Sequence, residues 1–499
     1  MKNIRRLSML LCLLVLFQII ALPAHAADSD TVSDPETTEA TEPSGAVIAD
    51  VITEFGTAPI LQGCRTLDGQ VPLSGSEKML STARAAMVYE LNTGTILYDY
   101  LPDEHVAPGG FAKIVSAMIA LERGNLEDKV TISTRNYKTL APGAINAKLK
   151  EGEIMTLQDL LNCMILALAN DAALSIAEHI AGSETEFVKL MNEKVREIGC
   201  KDTVFVNCHG LDAAGQYSSA RDMTRVIQYA VRDQKFVELF GTTRYTIEET
   251  NKFEERKLVT LNYLLQQTNV LKFIKDEVTG GLASYSSGSG ASVFFTAESK
   301  GMSFIFIIVG STRIFSDRGL ATTYGNFEDA WTLMDYAFDN FKLCRLLHDG
   351  QSMVQFPVAN GQNDVVAQTH SALDAILPKN ARLDNLILKY SVTNGGLIAP
   401  LAEDQKIGTL QVWYRNTSCI AETELYSMSA VRKADENNLK IQSAASGSNI
   451  SISGALRVIG IALICLVGLF AVYLIINNIR RSIALKRRRR RRASRRRSR

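Results

Sequence analysis

Apolar residues recur with two different periods along the chain, and the change of period divides it into segments. Residues 85–90 and 95–100 are apolar runs on either side of the turn Asn92-Thr93-Gly94, so the first clear element is a β-hairpin. Strands return at residues 292–297 and 302–309, around a polar turn. A helical pattern then covers residues 329–346.

Between the two strand regions the spacing of apolar residues is helical. Residues 157–168 are apolar on nearly all sides, which predicts a buried central helix, and helices are also predicted at 113–121 and within 219–233. Helix starts are indicated by Thr156 with Asp159, by Asn170 before a helix at 171–180, and by Ser183 with Glu186 before a helix that ends near Ile198.

The order of these elements predicts the fold class. Strands come first, helices follow, and strands with a final helix close residues 81–348, which is typical of an α+β domain. Residues 349–433 contain short strands separated by turn signals, and they predict a small β-rich domain.

The ends of the chain show patterns typical of export and membrane anchoring. A charged start, an apolar run and Ala24-His25-Ala26 predict a signal peptide at residues 1–26, with an uncleaved anchor as the alternative. The uncharged run Val458 to Ile476 predicts a transmembrane helix at residues 457–477. Basic residues follow it, and positive charge marks the cytoplasmic side of a membrane. Residues 478–499 are therefore predicted to be a cytoplasmic tail, and the part of the chain before the span is predicted to be extracellular.

Two polar segments lie between these regions. Residues 27–80 are rich in acids, Thr, Ser and Pro at their start and are predicted to be a mostly disordered linker. Residues 434–456 are predicted to be a second linker that leads to the membrane.

The net charge of +1 combines two oppositely charged parts. Residues 480–499 contain thirteen Lys or Arg and no acid, so the remaining residues carry an excess of acids. Such a tail is expected to bind anionic lipid beside the plasma membrane, with a stop-transfer signal as the alternative. We do not expect it to bind nucleic acid.

The cysteines do not indicate a metal site. Six of the eight lie in the predicted extracellular part, where disulfides can form, and Cys163 falls in an apolar helical run typical of a buried thiol. No pair has the spacing of metal ligands, so we expect neither a metal nor a cofactor.

Several short segments, in this order, resemble the serine D-Ala-D-Ala carboxypeptidases (peptidase family S11), which are low-molecular-weight penicillin-binding proteins. The resemblance covers about residues 85–433 and implies a β-lactamase-like helical block with an antiparallel sheet, followed by the family's C-terminal β domain. The segments that carry it are Leu91-Asn92-Thr93-Gly94, Pro108, Lys113-Ile114, Asn170-Asp171-Ala172-Ala173, Asn207-Cys208-His209-Gly210-Leu211, Tyr217 to Asp222, Thr279-Gly280, Ala399-Pro400-Leu401 and Lys406-Ile407-Gly408.

The resemblance implies three catalytic motifs. They are Ser-x-x-Lys at a helix start, whose serine attacks the peptide carbonyl, then Ser-x-Asn, and then Lys-Thr-Gly on an edge strand. In this chain they align with Gly110-Phe111-Ala112-Lys113, Leu168-Ala169-Asn170 and Val278-Thr279-Gly280.

Each of the three motifs has therefore lost a residue that carries chemistry. Gly110, Leu168 and Val278 stand where the family has the nucleophilic serine, a second serine and a lysine. The alignment implies that Lys113 is a catalytic remnant and that Asn170, Thr279 and Gly280 bind substrate.

The missing nucleophile decides the functional prediction. We expect a D-Ala-D-Ala carboxypeptidase-like protein of the peptidoglycan that no longer catalyses and that binds stem peptide or a wall-synthesis partner. Two alternatives stay open: an active serine carboxypeptidase that works by another route, and a transmembrane coupler whose extracellular part senses the wall.

Overall fold

The computed structural model describes residues 52–55, 67–68, 70–73, 78–134, 137–138, 140–266, 273–316, 321–393 and 396–434. Its α-helices are α1 (Phe111–Arg123), α2 (Leu157–Leu166), α3 (Asn170–Ala181), α4 (Glu184–Glu197), α5 (Ala220–Ala230), α6 (Gln234–Gly241) and α7 (Gly325–Asn340). Its strands are β1 (Ile52–Phe55), β2 (Ala85–Glu90), β3 (Ile96–Tyr100), β4 (Lys129–Thr131), β5 (Ile154–Thr156), β6 (Arg244–Ile247), β7 (Arg256–Val259), β8 (Val278–Ser286), β9 (Gly290–Ser299), β10 (Met302–Ser311), β11 (Arg313–Phe315), β12 (Ala321–Tyr324), β13 (Phe341–Leu347), β14 (Ser352–Phe356), β15 (Val358–Ala359), β16 (Val365–Gln368), β17 (Leu373–Pro378), β18 (Leu386–Val392), β19 (Leu397–Ile398), β20 (Lys406–Tyr414) and β21 (Ser418–Ser427).

A five-stranded antiparallel sheet, in the order β3-β2-β10-β9-β8, contains both predicted hairpins. Successive side chains of a strand point to opposite faces. In β10, Ile305 and Ile307 belong to the core on the side of α1 to α6, whereas Phe304 and Phe306 belong to a second core on the side of α7. Both faces of the sheet are therefore covered, which explains the nearly continuous apolar run in this strand.

The helical block is built around α1, whose residues Phe111 to Leu121 are all buried. The predicted start of α2 is confirmed as a capping box, because Thr156 and Asp159 each accept the other's backbone N–H. The predicted cap at Asn170 is wrong. Ala169 is the capping residue of α3, and the side chain of Asn170 makes its contacts inside the candidate site described below.

The last helix of the domain ends earlier than the sequence predicted. The helical pattern at 329–346 corresponds to α7, which starts at Gly325, and to β13, which pairs with β17. The buried carboxylate of Asp329 fixes the helix, because it accepts the backbone N–H groups of Ser81 and Ala83, each at 2.9 Å. Pairing with a distant strand decided the structure of residues 341–347, and a local pattern cannot show such pairing.

The C-terminal β domain has a six-stranded sheet in the order β1-β18-β20-β21-β16-β14. Its separate core includes Leu388, Leu410, Val412 and Leu425. Strand β1 pairs in parallel with β18, so a piece of the segment predicted as a mostly disordered linker forms an edge of this sheet. The α+β domain and the β-rich domain that follows it agree with the predicted fold class.

The predicted signal peptide at 1–26, most of the linkers at 27–80 and 434–456, the predicted span at 457–477 and the tail at 478–499 lie outside the described residues. Within the described ranges, no helix combines the length and apolarity that a membrane crossing requires.

Candidate functional site

A cavity of about 480 Å³ opens where the start of α1 faces β8 and the turn before α3; we call it the α1 cavity. It brings together Gly110, Lys113, Leu168 and Asn170, which the sequence had assigned to two separate motifs. Its lining consists of Gly109, Gly110, Lys113, Ala141, Pro142, Gly143, Ala144, Ile145, Leu168, Asn170, His209, Gly210, Leu211, Asp212, Ser284, Tyr285, Ser286 and Ser287.

Lys113 lies in the first turn of α1, and the residue is only 4% exposed. Its Nζ donates to Oδ1 of Asn170 at 2.7 Å and to the backbone oxygen of His209. The amide nitrogen of Asn170 in turn donates to the backbone oxygen of Ile145 at 2.8 Å. These contacts fix the Asn170 amide, and they leave the lysine with two acceptors in place of a serine hydroxyl.

Burial sets the charges in the cavity. It lowers the pKa of Lys113 to about 8, because the charged ammonium is poorly solvated there. The lysine is therefore still mainly protonated at pH 7. Burial, together with the nearby Lys113 charge, lowers the pKa of His209 to about 3, so its imidazole is neutral.

The neutral His209 serves the local structure. Its Nδ1 accepts the backbone N–H of Leu211 at 3.2 Å, so the ring proton is on Nε2, which lies 3.5 Å from a carboxylate oxygen of Glu184. Its backbone oxygen holds Lys113. This agrees with the structural role that a histidine beside a glycine, without a serine or cysteine motif nearby, suggests.

Gly110 caps α1 and offers no side chain to the cavity. Its φ of −59° is an ordinary right-handed value that any residue can adopt. Its backbone N–H donates to Oγ of Ser284 in β8 at 3.1 Å. Position 110 therefore contributes no side-chain hydroxyl, and the hydroxyl that contacts the helix start belongs to Ser284 of β8.

Leu168 occupies the turn between α2 and α3 in a strained conformation. Its φ is +55°, a region that costs a bulky residue about 1–2 kcal/mol. Two backbone hydrogen bonds hold the turn. The N–H of Ala169 donates to the oxygen of Cys163 at 3.1 Å, and the N–H of Asn170 donates to the oxygen of Ile145 at 2.9 Å. The strained turn aims Asn170 at Lys113, and it presents an apolar side chain where the family motif has a hydroxyl.

The structure does not bring Val278, Thr279 and Gly280 to this cavity. Val278 lies in the core beneath α7, the hydroxyl of Thr279 lies 2.7 Å from that of Thr296, and Gly280 packs against Phe240. The residues of β8 that face Gly110 are Leu282 and Ser284, four residues further along.

The placement of the third motif at Val278–Gly280 therefore differs from the structure, which puts Leu282-Ala283-Ser284 opposite the helix start. β8 is the edge strand of its sheet, as the family pattern requires, and no lysine stands at either place. Nine of the eleven residues in 280–290 are Gly, Ala or Ser, so the local sequence says little about the register, which is fixed by the pairing with β9 and by the packing of Gly280 against Phe240. The same pairing places residues 280–286 in strand β8, which a tight turn joins to β9 at Gly290.

Sequence reasoning missed the residues at the edge of the cavity. The carboxylate of Asp212 accepts the hydroxyl of Ser286 at 2.7 Å and the backbone N–H of Gly288 at 2.9 Å, so it holds the turn between β8 and β9. A signal was present, because Asp212 directly follows the segment Asn207 to Leu211 that carries the family resemblance. The run of serines before Gly290 gave no sign of its partner.

The charged side chain in a second cavity already has ion-pair partners within the protein. A second cavity, of about 520 Å³, contains Arg225, which pairs with Asp222 at 2.6 Å and also with Asp68. In the part of the chain that the structure describes, no group of His, Cys, Asp or Glu side chains could hold a metal ion.

Cys419 is disulfide-bonded, whereas Cys163, Cys200, Cys208 and Cys344 are free thiols.

Comparison with known proteins identifies the family. The family model of D-alanyl-D-alanine carboxypeptidases (peptidase S11) matches residues 74–313, and that of the C-terminal domain of penicillin-binding protein 5 matches residues 341–433. The D-alanyl-D-alanine carboxypeptidase DacF of Bacillus subtilis is 27% identical over 370 residues, which cover 72% of this chain and 88% of DacF. DacC of Escherichia coli is 26% identical over 338 residues, 66% of this chain and 79% of DacC.

The solved structures lead to the same family. Penicillin-binding protein 5 of Haemophilus influenzae superposes with a TM-score of 0.57 and 27% identity, covering 72% of this chain and 100% of the other. The chain belongs to the D-alanyl-D-alanine carboxypeptidase family, peptidase S11. It is a carboxypeptidase-like cell-wall protein with the penicillin-binding protein 5 fold.

Proposed function

We propose that this protein binds the D-Ala-D-Ala end of a peptidoglycan stem peptide in the α1 cavity and does not cleave it. The proposal rests on which side chains remain at the start of α1. Lys113 and Asn170 remain joined inside an open cavity, while position 110 at the helix start has no side chain. The cavity keeps a cation and an amide that can contact a peptide, and position 110 lacks the serine with which the family's Ser-x-x-Lys motif attacks.

The choice of ligand follows from the family. The relatives are named D-alanyl-D-alanine carboxypeptidases, so the peptide that ends in D-Ala-D-Ala is the first ligand to test. The positive charge of Lys113 suits a ligand carbonyl or carboxylate that reaches the base of the cavity. A wall-synthesis protein as the partner is the second outcome to test.

The experiment combines binding with product detection on the full chain. A synthetic stem pentapeptide that ends in D-Ala-D-Ala is titrated by calorimetry, and free D-Ala is measured by mass spectrometry. We expect binding without D-Ala release, about tenfold weaker binding for Lys113→Met because a charge-assisted contact is lost, and unchanged binding for the exposed control Lys129→Met.

Two results would refute the proposal. Release of D-Ala, or a covalent adduct with the peptide, would show an active enzyme. Absence of binding by the native chain would direct the search to a protein partner, and affinity capture with wall-synthesis proteins would then replace the peptide titration.

We also propose that the described part faces the cell wall outside the plasma membrane, anchored by the predicted span and by a basic tail on anionic lipid. The disulfide at Cys419 supports this, because disulfides persist in oxidising compartments. Protease treatment of intact, wall-stripped cells should remove this part and leave a tail fragment. Full protection of the chain would contradict the proposal.

A further inference from the structure

Ser284 leaves no room for a side chain at position 110. An ideally placed Cβ on Gly110 would lie 2.6 Å from Cβ of Ser284, 2.7 Å from its Oγ and 2.9 Å from Cδ2 of Leu282. Unbonded carbon atoms prefer about 3.5–4.0 Å. The Cβ of Ser284 is fixed by the strand backbone, so it cannot rotate away. Because the φ of Gly110 is ordinary, the constraint is steric and not conformational.

Ser284 also occupies the hydrogen-bond donor at the helix start. The first N–H groups of a helix have no partner within the helix. In acyl transfer, backbone donors of this kind stabilise the oxyanion that forms on the attacked carbonyl. Here the N–H of Gly110 donates to Oγ of Ser284 at 3.1 Å, so the nearest donor of this kind is already paired.

The two residues reverse the family arrangement. The family motifs place a serine at the helix start, and the strand motif Lys-Thr-Gly ends in a glycine. This chain has glycine on the helix and serine on the strand. The serine side chain at this point is supplied by strand β8 and not by helix α1. Its hydroxyl lies beside the place from which the usual nucleophile would attack.

We propose that Ser284 is a blocking residue: it fills the attack position of the α1 cavity and thereby determines what the cavity can accept. A ligand carbonyl can reach the N–H of Gly110 only if it displaces the Ser284 hydroxyl. A bound peptide therefore lies further out, between Ile145 and Asp212 in the cavity lining. This statement about the ligand rests on the proposed function, whereas the steric block does not.

The contacts of Lys113 argue against Ser284 as a substitute nucleophile. A serine nucleophile needs a base within hydrogen-bond reach. Nζ of Lys113 donates to Asn170 and to the backbone oxygen of His209, and no hydrogen bond joins it to Ser284 in the described residues. Ser284 therefore occupies the position of the nucleophile without its activating contact.

A thermodynamic cycle on the full chain tests the block without any ligand. Thermal unfolding is compared for the native chain, Gly110→Ala, Ser284→Gly and the double variant. In the native background, Gly110→Ala should lower the unfolding midpoint by about 3–8 °C, because the added methyl group overpacks the contact with Ser284. When residue 284 is glycine, the same substitution should lower the midpoint by less than half as much. The matched control is Gly396→Ala, because a Cβ there meets nothing within 4 Å.

A binding measurement tests the consequence for ligands. The D-Ala-D-Ala pentapeptide should bind Ser284→Gly about fivefold more tightly than the native chain, since the donor of Gly110 becomes available. An equal effect of Gly110→Ala in both backgrounds would overturn the block. Equal affinities of native and Ser284→Gly chains, with a clear steric coupling, would overturn the role in ligand selection.

The two proposals fail separately. If only Ser284→Gly binds the peptide, the block is supported and the proposed function of the native chain is refuted. If neither protein binds, the proposed function fails, and the unfolding cycle still decides the steric block. Covalent labelling of Ser284 in the native chain by a β-lactam would overturn the block and make Ser284 a nucleophile.

Discussion

Burial of Lys113 couples its protonation to folding. The pKa of a lysine in an unfolded chain is about 10.4, and burial lowers that of Lys113 to about 8 in the folded protein. Between these pH values the unfolded chain binds the proton and the folded chain releases it, so the free energy of unfolding rises with pH. Below pH 8 both states carry the proton, and the cost of burying the charge is constant.

Replacing Lys113 should therefore remove part of the pH dependence of stability. We expect Lys113→Met to flatten the rise in the free energy of unfolding between pH 8 and 10, measured by urea unfolding at several pH values. The exposed control Lys129→Met should keep the native slope. A native slope in the Lys113→Met protein would show that the lysine is not desolvated in solution.

The substitutions in the three motifs leave few polar groups without partners. A hydroxyl or ammonium that loses its partner while buried costs about 1–3 kcal/mol, but removing both partners together can be nearly neutral. Gly110, Leu168 and Leu282 have no side-chain donors, so they require none. Lys113 remains, and it is held by Asn170 and the His209 backbone. The remaining cation of the motifs therefore keeps hydrogen-bond acceptors in the cavity.

At the level of elements, sequence patterns were sufficient where one local signal determined the structure. The hairpin of β2 and β3, the buried helix α1 and the capping box at Thr156 were all predictable from periodicity and cap residues. The predicted helix at 157–168 ends at Leu166, and α6 was not predicted. Helix ends are the least certain part of such patterns because terminal turns depend on contacts with other elements.

The predictions failed where distant pairing decided the outcome. The register of β8, which places Ser284 and not Gly280 opposite Gly110, depends on β9 and on the packing of Gly280 against Phe240. The side chain of Asn170 turns to Lys113 because the strained turn at Leu168 aims it there. Neither feature leaves a local trace in the sequence. Gly110, Lys113, Leu168 and Asn170 line the same cavity, whereas residues 278–280 do not.

At the scale of the molecule, the two domains share a core. Ile376 lies in β17 of the β domain and is fully buried, yet it belongs to the same hydrophobic core as Phe304 and Phe338 of the carboxypeptidase-like domain. Strand β13 continues directly from α7 and pairs with β17, with Leu343 opposite Ile376. A side chain of one domain therefore completes the core of the other, so their unfolding should be cooperative.

This arrangement predicts a single unfolding transition for the described part of the chain. Ile376→Ala should lower the free energy of unfolding by about 2–5 kcal/mol, because it leaves a cavity among aromatic side chains. The effect should appear in the whole transition when it is followed by calorimetry. Ile398→Ala is the matched control, since that side chain is 63% exposed and should change stability little. Two separate transitions in the native chain, with Ile376→Ala shifting one of them, would show that the domains fold independently and that the shared core contributes little to either.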